Sequence, residues 1–408
     1  MRTFLLAIVI AVTASSTVSA SVSTQPPPAE ASTAIVATDV ASQAGIAQTT
    51  QTWSAPVGDI NNDGFPDFFL SRHLAPSGKL YQNNGDGTFT EIDVGNFPKY
   101  DRLGCVFGDV NQDGLQDLYC SIGDNKSTSL NPKELWIQQP DHTFVNEAVQ
   151  YGVTDPPGRE RWPTFIDVNH DGYPDLFVSV LYPRTDGIPE SNHLYINQGG
   201  ASYVDAPEYG LDTTSGSAGG GGCAQAVDFN NDSWQDLLLC AQDRLHLYEN
   251  DSGTSFTDVT TAVGLGTAVW TDAELVDLNH DGALDIIQIK NGSAQVRFQV
   301  SGVFGPPFKL ATLTAGFSLA TGDVNGDGFP DVYLVQGCAK NTTTDTPDLM
   351  FLNNGDGTFT QISIPGATSG CGDVASPIDY NGDGQADFLV LNGFNAQGPI
   401  QLLTFSTP

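Results

Sequence analysis

The sequence predicts an all-β fold, a seven-bladed β-propeller of four-stranded antiparallel blades closed by an N-terminal strand that completes the last blade. Three observations carry this reading. A nine-residue pattern, D-x-N-x-D-G-x-x-D, occurs seven times, starting at Asp59, Asp109, Asp167, Asp228, Asp277, Asp323 and Asp379. The copies stand 46 to 61 residues apart, about the length of one blade with variable loops. Hairpin signals such as Asn84-Gly85-Asp86-Gly87 and Asn354-Gly355-Asp356-Gly357 recur between copies, each set between short β-rich segments.

Taken in order, residues 1–20 read as a secretory signal: Arg2, the apolar run Phe4 to Val12, and Val18-Ser19-Ala20 as a small-residue cleavage site. Residues 21–33 are polar and Pro-rich and read as a flexible lead-in. The propeller is expected over 34–408. No later stretch has the apolar length of a membrane span.

The first repeat shows the plan. A short strand (Trp53 to Gly58) enters the acidic loop and a second (Phe68 to Ser71) leaves it. Lys79 to Gln82 forms a third strand, and Thr88 to Ile92 a fourth beyond the Asn-Gly-Asp-Gly turn. The plan returns at 135–148, 194–207, 247–260 and 350–363, whereas 295–313 is degenerate. Residues 36–46 resemble the end of a fourth strand but precede the first loop, and only two strands follow the seventh loop. The N-terminal segment is therefore expected to supply the missing outer strand, removing an exposed sheet edge.

Oxygen-bearing side chains at positions 1, 3, 5 and 9 suit a hard cation. The expected ligands are Asp59, Asn61, Asp63 and Asp67, then Asp109, Asn111, Asp113 and Asp117. The third and fourth loops offer Asp167, Asn169, Asp171, Asp175 and Asp228, Asn230, Asp232, Asp236. The last three offer Asp277, Asn279, Asp281, Asp285; Asp323, Asn325, Asp327, Asp331; and Asp379, Asn381, Asp383, Asp387. Position 6 is Gly, free to take a positive φ, in six loops and Ser233 in the fourth. Up to seven structural Ca²⁺ ions are expected.

The formal charge of −33, from 48 acids and 15 bases, makes nucleic acid and anionic membranes poor partners. Seven divalent ions would bring −33 to −19. Six cysteines in an exported chain point to disulfides. Cys105 and Cys120 flank the second loop, Cys223 and Cys240 the fourth, and Cys338 and Cys371 are expected to join the sixth and seventh repeats. Glycosylation sequons stand at Asn125, Asn231, Asn250, Asn291 and Asn341.

The acidic loop with its following apolar strand, and the LYxNNGDGTFT segment, resemble the FG-GAP/VCBS repeats of integrin α-chain-like propellers over about 34–408. The FG-GAP words are partly present, as Phe107-Gly108 and Ala55-Pro56. The resemblance implies that the loops join first and second strands on a lower face and hold structural calcium. The opposite, upper face then carries the loops between second and third strands and between blades, which vary most in length, and ligand-binding residues are expected on such variable loops.

Nine bases lie between Arg72 and Arg184, all expected in upper-face loops of the first three blades. With interleaved aromatics they give a candidate ligand site of Tyr100, Arg102, Arg159, Arg161, Trp162, Tyr182 and Arg184, suited to an acidic sugar or peptide. The function expected is a secreted, non-catalytic binding protein, lectin-like or adhesion-like, that recognises glycans or an extracellular protein. The alternative is a secreted, polysaccharide lyase-like enzyme, for which Asp272 and Glu274, expected on an upper loop, are a candidate acid/base pair. The six His residues form no metal-ligand or triad spacing, and His170 and His280 read as solvated side chains in the acidic loops.

Overall fold

A computed structural model of the chain describes residues 35–407 except 73–76, 94–96, 124–132, 155–158, 183–190, 212–222, 242, 291, 339–345, 367–371 and 394–396; the side chains of 159, 160, 181 and 182 are also undescribed. The expected signal sequence and lead-in lie outside the described residues, as do Cys371 and the sequons at Asn125, Asn291 and Asn341.

Seven four-stranded antiparallel blades form the ring. Blade 1 comprises Val57–Gly58, Asp67–Leu70, Lys79–Asn83 and Phe89–Ile92, and blade 2 Arg102–Gly108, Asp117–Ile122, Glu134–Gln138 and Phe144–Asn146. Blade 3 runs through Arg159–Ile166, Asp175–Tyr182, His193–Asn197 and Tyr203–Asp205, and blade 4 through Ala224–Val227, Asp236–Cys240, Leu245–Asn250 and Phe256–Asp258. Blade 5 uses Asp272–Val276, Asp285–Lys290, Ser293–Arg297 and Phe308–Ala311; blade 6 uses Gly316–Gly322, Asp331–Gln336, Leu349–Asn353 and Phe359–Ile362. Blade 7 takes Val374–Ile378, Asp387–Leu391 and Gly398–Ser406 from the end of the chain and Val36–Asp39 from its start. First strands touch those of the next blade all the way round, the seventh returning to the first.

The clasp is as expected. Val36 pairs with Ser406 and Asp39 with Leu403, antiparallel. Two details differ from the sequence expectation. The first strand of blade 1 shrinks to Val57–Gly58, because Pro56 has no N–H to donate. Main-chain bonds from Trp53 to Ser71 and from Ser71 to Ser54 continue the pairing beyond it. The degenerate fifth repeat still completes four strands, with the small hairpin Gln299–Val300/Val303–Phe304 inserted before the last.

Every second strand is sandwiched between neighbouring blades, which explains why it reads as an unbroken apolar run. Alternate side chains face opposite sides of a sheet. Phe68 accordingly joins Leu389, Leu391 and Leu402 of blade 7, while Phe69 joins Leu118, Trp136 and Phe144 of blade 2. Both rings are fully buried. Each such ring contributes about 1.5–3 kcal/mol of burial.

Two disulfides link first to second strands across an acidic loop, Cys105–Cys120 in blade 2 and Cys223–Cys240 in blade 4. Cys338 is also disulfide-bonded.

Candidate metal centres and the opposite face

All seven acidic loops share one hydrogen-bond skeleton. The position-6 N–H donates to Oδ2 of the position-1 Asp, as from Gly64 to Asp59 at 2.9 Å and from Gly384 to Asp379 at 2.9 Å. The Asn at position 3 accepts the position-5 N–H, and its Nδ2 donates to the position-5 carboxylate; in the first loop these are 3.1 and 2.8 Å. The same carboxylate accepts the position-7 N–H, from Phe65 at 2.9 Å.

The turn requires left-handed backbone at two positions. Position 6 has φ of 88° at Gly64 and keeps it at 75° where Ser233 stands. Ser233 still donates its N–H to Asp228, at 2.8 Å, so the fourth loop closes like the others. Position 4 is also left-handed, from 57° at Asn62 to 72° at Gly382, which accounts for its Asn, Gly, Gln and His residues. These side chains tie one loop to the next. Asn62 donates to the Gly114 carbonyl oxygen at 2.9 Å, Gln112 to Gly172 at 2.6 Å, and Asn231 to Gly282 at 3.0 Å. His170 and His280 are exposed, as expected, and also stack on Trp234 and Phe329 of the following loops.

The ninth Asp is the anchor of each loop. Asp67 accepts the Ile60 N–H at 2.9 Å through one oxygen and the Asn83 N–H at 2.7 Å through the other. The arrangement repeats in blades 2 to 6, while Asp387 in blade 7 keeps the position-2 N–H, of Tyr380, and meets the Thr404 hydroxyl in place of a third-strand N–H. Burial, reinforced by the neighbouring carboxylates, lifts Asp67 and Asp285 to about 6 and Asp117, Asp175, Asp236, Asp331 and Asp387 to about 7. Each loop thus gathers three carboxylates, and among the described residues none of these is in an ion pair with a base. Their donors are all oxygen, and each ninth carboxylate keeps lone pairs beyond its two N–H bonds, so the residues fit a hard cation. The three carboxylates of a loop do not converge within 4.8 Å; among the described residues only Cys223, Cys240 and Asp272 do so, and the two sulfurs are bonded to each other.

One feature went unread in the sequence. The third strands of blades 1, 2, 3, 4 and 6 end in Asn or Gln, blade 5 has Gln299 just after its third strand, and each of these amides donates to the position-2 carbonyl of the preceding blade's loop. Asn83 reaches Tyr380 at 2.9 Å, Gln138 Ile60 at 2.7 Å, Asn197 Val110 at 2.9 Å, Asn250 Val168 at 3.0 Å, Gln299 Phe229 at 3.4 Å, and Asn353 Leu278 at 2.8 Å. At the junction of blades 6 and 7, Ala386 N–H bonds to Asp323 at 2.7 Å. The recurring Asn in LYQN, LYIN, LYEN and FLN was the available signal, masked by its place beside the turn.

Of the nine bases of the expected patch, the described residues Arg72, Arg102, Lys133 and Arg161 are buried. Arg102 opens a strand and is wholly buried, its guanidinium forked onto the equally buried Glu134 at 2.7 and 3.0 Å. It balances charge inside blade 2 and no surface ligand reaches it. Arg161 is also buried, lying 4.4 Å over the Trp53 ring, and Arg72 and Lys133 are buried as well. Tyr100 is half-buried. Arg184 and the side chains of Arg159 and Tyr182 lie outside the described residues. Trp162 lines a cavity where the first strands end away from the acidic loops. Asp272 and Glu274, expected on an upper loop, sit in the first strand of blade 5 and line the same cavity.

The structure therefore defines a repeat propeller with seven equivalent acidic loops on one face and non-equivalent residues at the other. The family model for FG-GAP-like repeats matches residues 59–120, 228–288 and 338–390, and that for the FG-GAP repeat matches 315–334. The chain is an integrin-like FG-GAP propeller. It is 33% identical to mouse integrin alpha-3 over 93 residues, 21% of this chain and 9% of that protein. It is 24% identical to human cartilage acidic protein 1 over 205 residues, 49% of this chain and 30% of the relative. The chain thus spans less than a third of either relative. Solved folds similar to it include a lectin from Agrocybe aegerita that recognises non-reducing terminal N-acetylglucosamine (TM-score 0.51, 17% identity, 76% of this chain and 79% of that one). Another is BBS1N in complex with ARL6DN (TM-score 0.52, 11% identity, 88% and 93%). No helix among the described residues is long and apolar enough to cross a membrane.

Proposed function

We propose that this chain is a secreted, calcium-stabilised, non-catalytic binding protein that recognises glycans or an extracellular protein through the face opposite its acidic loops. The observation that carries the reading is the asymmetry of the ring. One face repeats the same loop seven times, as a scaffold would, while the residues at the other end of the first strands differ from blade to blade. Integrin-like repeats, the disulfides and the likeness to extracellular relatives support binding outside the cell. FG-GAP repeats of integrin-like proteins commonly hold calcium. Here positions 1, 3, 5 and 9 of each loop would hold the ion, which neutralises the crowded carboxylates and fixes the strand corner.

The lyase-like alternative needs two carboxyls free to act. Asp272 has both oxygens engaged by main-chain N–H groups, of Ala273 at 2.9 Å and Leu319 at 3.0 Å. Glu274 is left without a partner acid, which favours binding over catalysis. The test is a glycan array and an extracellular-protein array probed with calcium-loaded protein, set beside a screen for polysaccharide degradation. Selective binding without product supports the reading; degradation of any polysaccharide overturns it.

A further inference from the structure

The first strands run in the same sense in every blade, so residues at equal distance before each acidic loop form a layer around the central axis. Five residues ahead of the loop, blades 3 to 7 place Trp162, Cys223, Asp272, Ser318 and Val374. All five line one cavity of about 280 Å³, joined by Gln225 and Glu274 two residues further on. A sevenfold repeat would put like residues at these positions. The repeat is broken here instead, and with polar groups.

Local backbone shows that Trp162 is deliberately placed. It falls at a break in register between Arg161 and Pro163, outside the pairing of the two strands. Its φ of 47° is left-handed, a conformation costly for a bulky residue. A bulge of this kind redirects one side chain out of the alternation. Gly104 of the neighbouring blade makes room for it, since a Cβ there would lie 3.0 Å from the Trp162 nitrogen of the main chain and 2.8 Å from Pro163.

The polar groups of the cavity divide into engaged and free. Gln225 uses both ends of its amide on the main chain of Leu275, at 3.0 and 2.8 Å, and Asp272 is engaged as described above. Glu274 is half-buried, with Oε1 accepting the Thr321 hydroxyl at 2.6 Å and the carboxyl also engaged by the Thr321 main-chain N–H, which leaves its remaining lone pairs to accept further bonds. The Ser318 hydroxyl, on a residue 2% exposed, and the Trp162 indole N–H are buried with no partner among the described residues. Buried polar groups are hydrogen-bonded in native proteins, so these two await one.

We propose that this cavity is a binding subsite for a single neutral sugar ring, held by hydrogen bonds to Trp162 Nε1, Ser318 Oγ and the Glu274 carboxyl group. The class of ligand follows from the donor and acceptor pattern. The indole N–H requires an acceptor, Glu274 offers one, and Ser318 can do either. Sugar hydroxyls both donate and accept, and so satisfy all three. An ammonium or guanidinium would meet Glu274 and leave the indole N–H unsatisfied. A uronic acid or sulfated sugar would set an anion against Glu274 with no Lys, Arg or His in the lining. This proposal rests on the glycan-binding reading above and moves the point of recognition from the outer loops to the central opening.

The test uses calcium-saturated full-length protein. The wild type is first applied to a glycan array. Wild type, Ser318→Ala, Glu274→Gln and Trp162→Phe are then titrated with methyl glycosides of glucose, galactose, mannose and N-acetylglucosamine, and with methyl glucuronide. The expected result is array binding, binding of at least one neutral glycoside, a tenfold or greater loss in Ser318→Ala and Glu274→Gln at unchanged melting temperature, and at least tenfold weaker binding of the glucuronide. Array binding with no glycoside bound, or with the variants equal to wild type, overturns the subsite and leaves the glycan-binding reading standing. An empty array overturns both. Ser318→Ala and Glu274→Gln are close in size to the native residues and keep the test informative if Trp162→Phe does not fold.

Discussion

Asn250 Nδ2, in blade 4, donates to the carbonyl oxygen of Val168, in blade 3, at 3.0 Å, and to the Gln235 carbonyl oxygen at 3.1 Å. The nitrogen that a sequon would offer to a glycan is thus buried and committed between two blades. Folded protein from a glycosylating host is expected to show Asn250 unmodified in peptide mass mapping. Asn250→Ala removes one partner and leaves the Val168 carbonyl buried and unsatisfied, which costs about 1–3 kcal/mol. A denaturant midpoint equal to wild type would contradict the interblade role.

Calcium is expected to raise the melting temperature and EDTA to lower it. At a hundredfold excess of ion over its dissociation constant, each occupied loop adds about 2.7 kcal/mol. Equal melting temperatures in calcium and in EDTA would remove the structural-calcium reading.

Ser233 holds a left-handed backbone that Gly takes without strain. Ser233→Gly is expected to stabilise the protein by roughly 1 kcal/mol, and the reciprocal Gly282→Ser to destabilise it similarly. Thermal unfolding of the pair in saturating calcium checks the sign of each.

Replacing Cys223 and Cys240 together by Ala opens a link across 17 residues. The expected loss is about 3 kcal/mol, largely through the freer unfolded chain. The calcium requirement of the variant, measured by melting at graded calcium, should increase, since that disulfide holds the two strands leading into and out of the fourth loop.

Burial without a counter-charge lifts Glu274 to about 7, although the Thr321 hydroxyl acts to lower it. A carboxyl whose folded pKa lies above its unfolded value binds its proton more tightly when folded, so the fold gains stability as pH falls from about 7 toward the ordinary carboxylate range. In saturating calcium, the melting temperature of wild type relative to Glu274→Gln is expected to rise between pH 8 and pH 5. A constant difference would show that Glu274 titrates normally.

The blade plan, the seven loops, the clasp and two disulfides were legible because each depends on short-range spacing. D-x-N-x-D-G-x-x-D needs only nine residues to declare itself, and Cys105 and Cys120 stand directly opposite once the loop between them is a turn. What escaped depends on the ring. The Asn83 bond to Tyr380 joins positions 297 residues apart, and no local pattern shows it. Arg102 was misplaced because a scarce base among acids reads as surface, whereas its partner Glu134 is reached only through strand pairing. Trp162 reads in the sequence as one more loop aromatic among bases, whereas in the fold it stands at a bulge in a first strand and lines the cavity.

The pairing of Val36–Asp39 with Gly398–Ser406 also sets a timetable for synthesis. A strand made before blade 1 must wait for a strand made after blade 6. Until then blade 7 has no outer strand, and the earlier blades stand as an open arc with two unpaired ends. During that interval the N-terminal segment is a lone, unprotected edge, open to capture by a second nascent chain. Circular permutants that join the ends and open the ring elsewhere would shift this interval to another blade without altering the finished molecule.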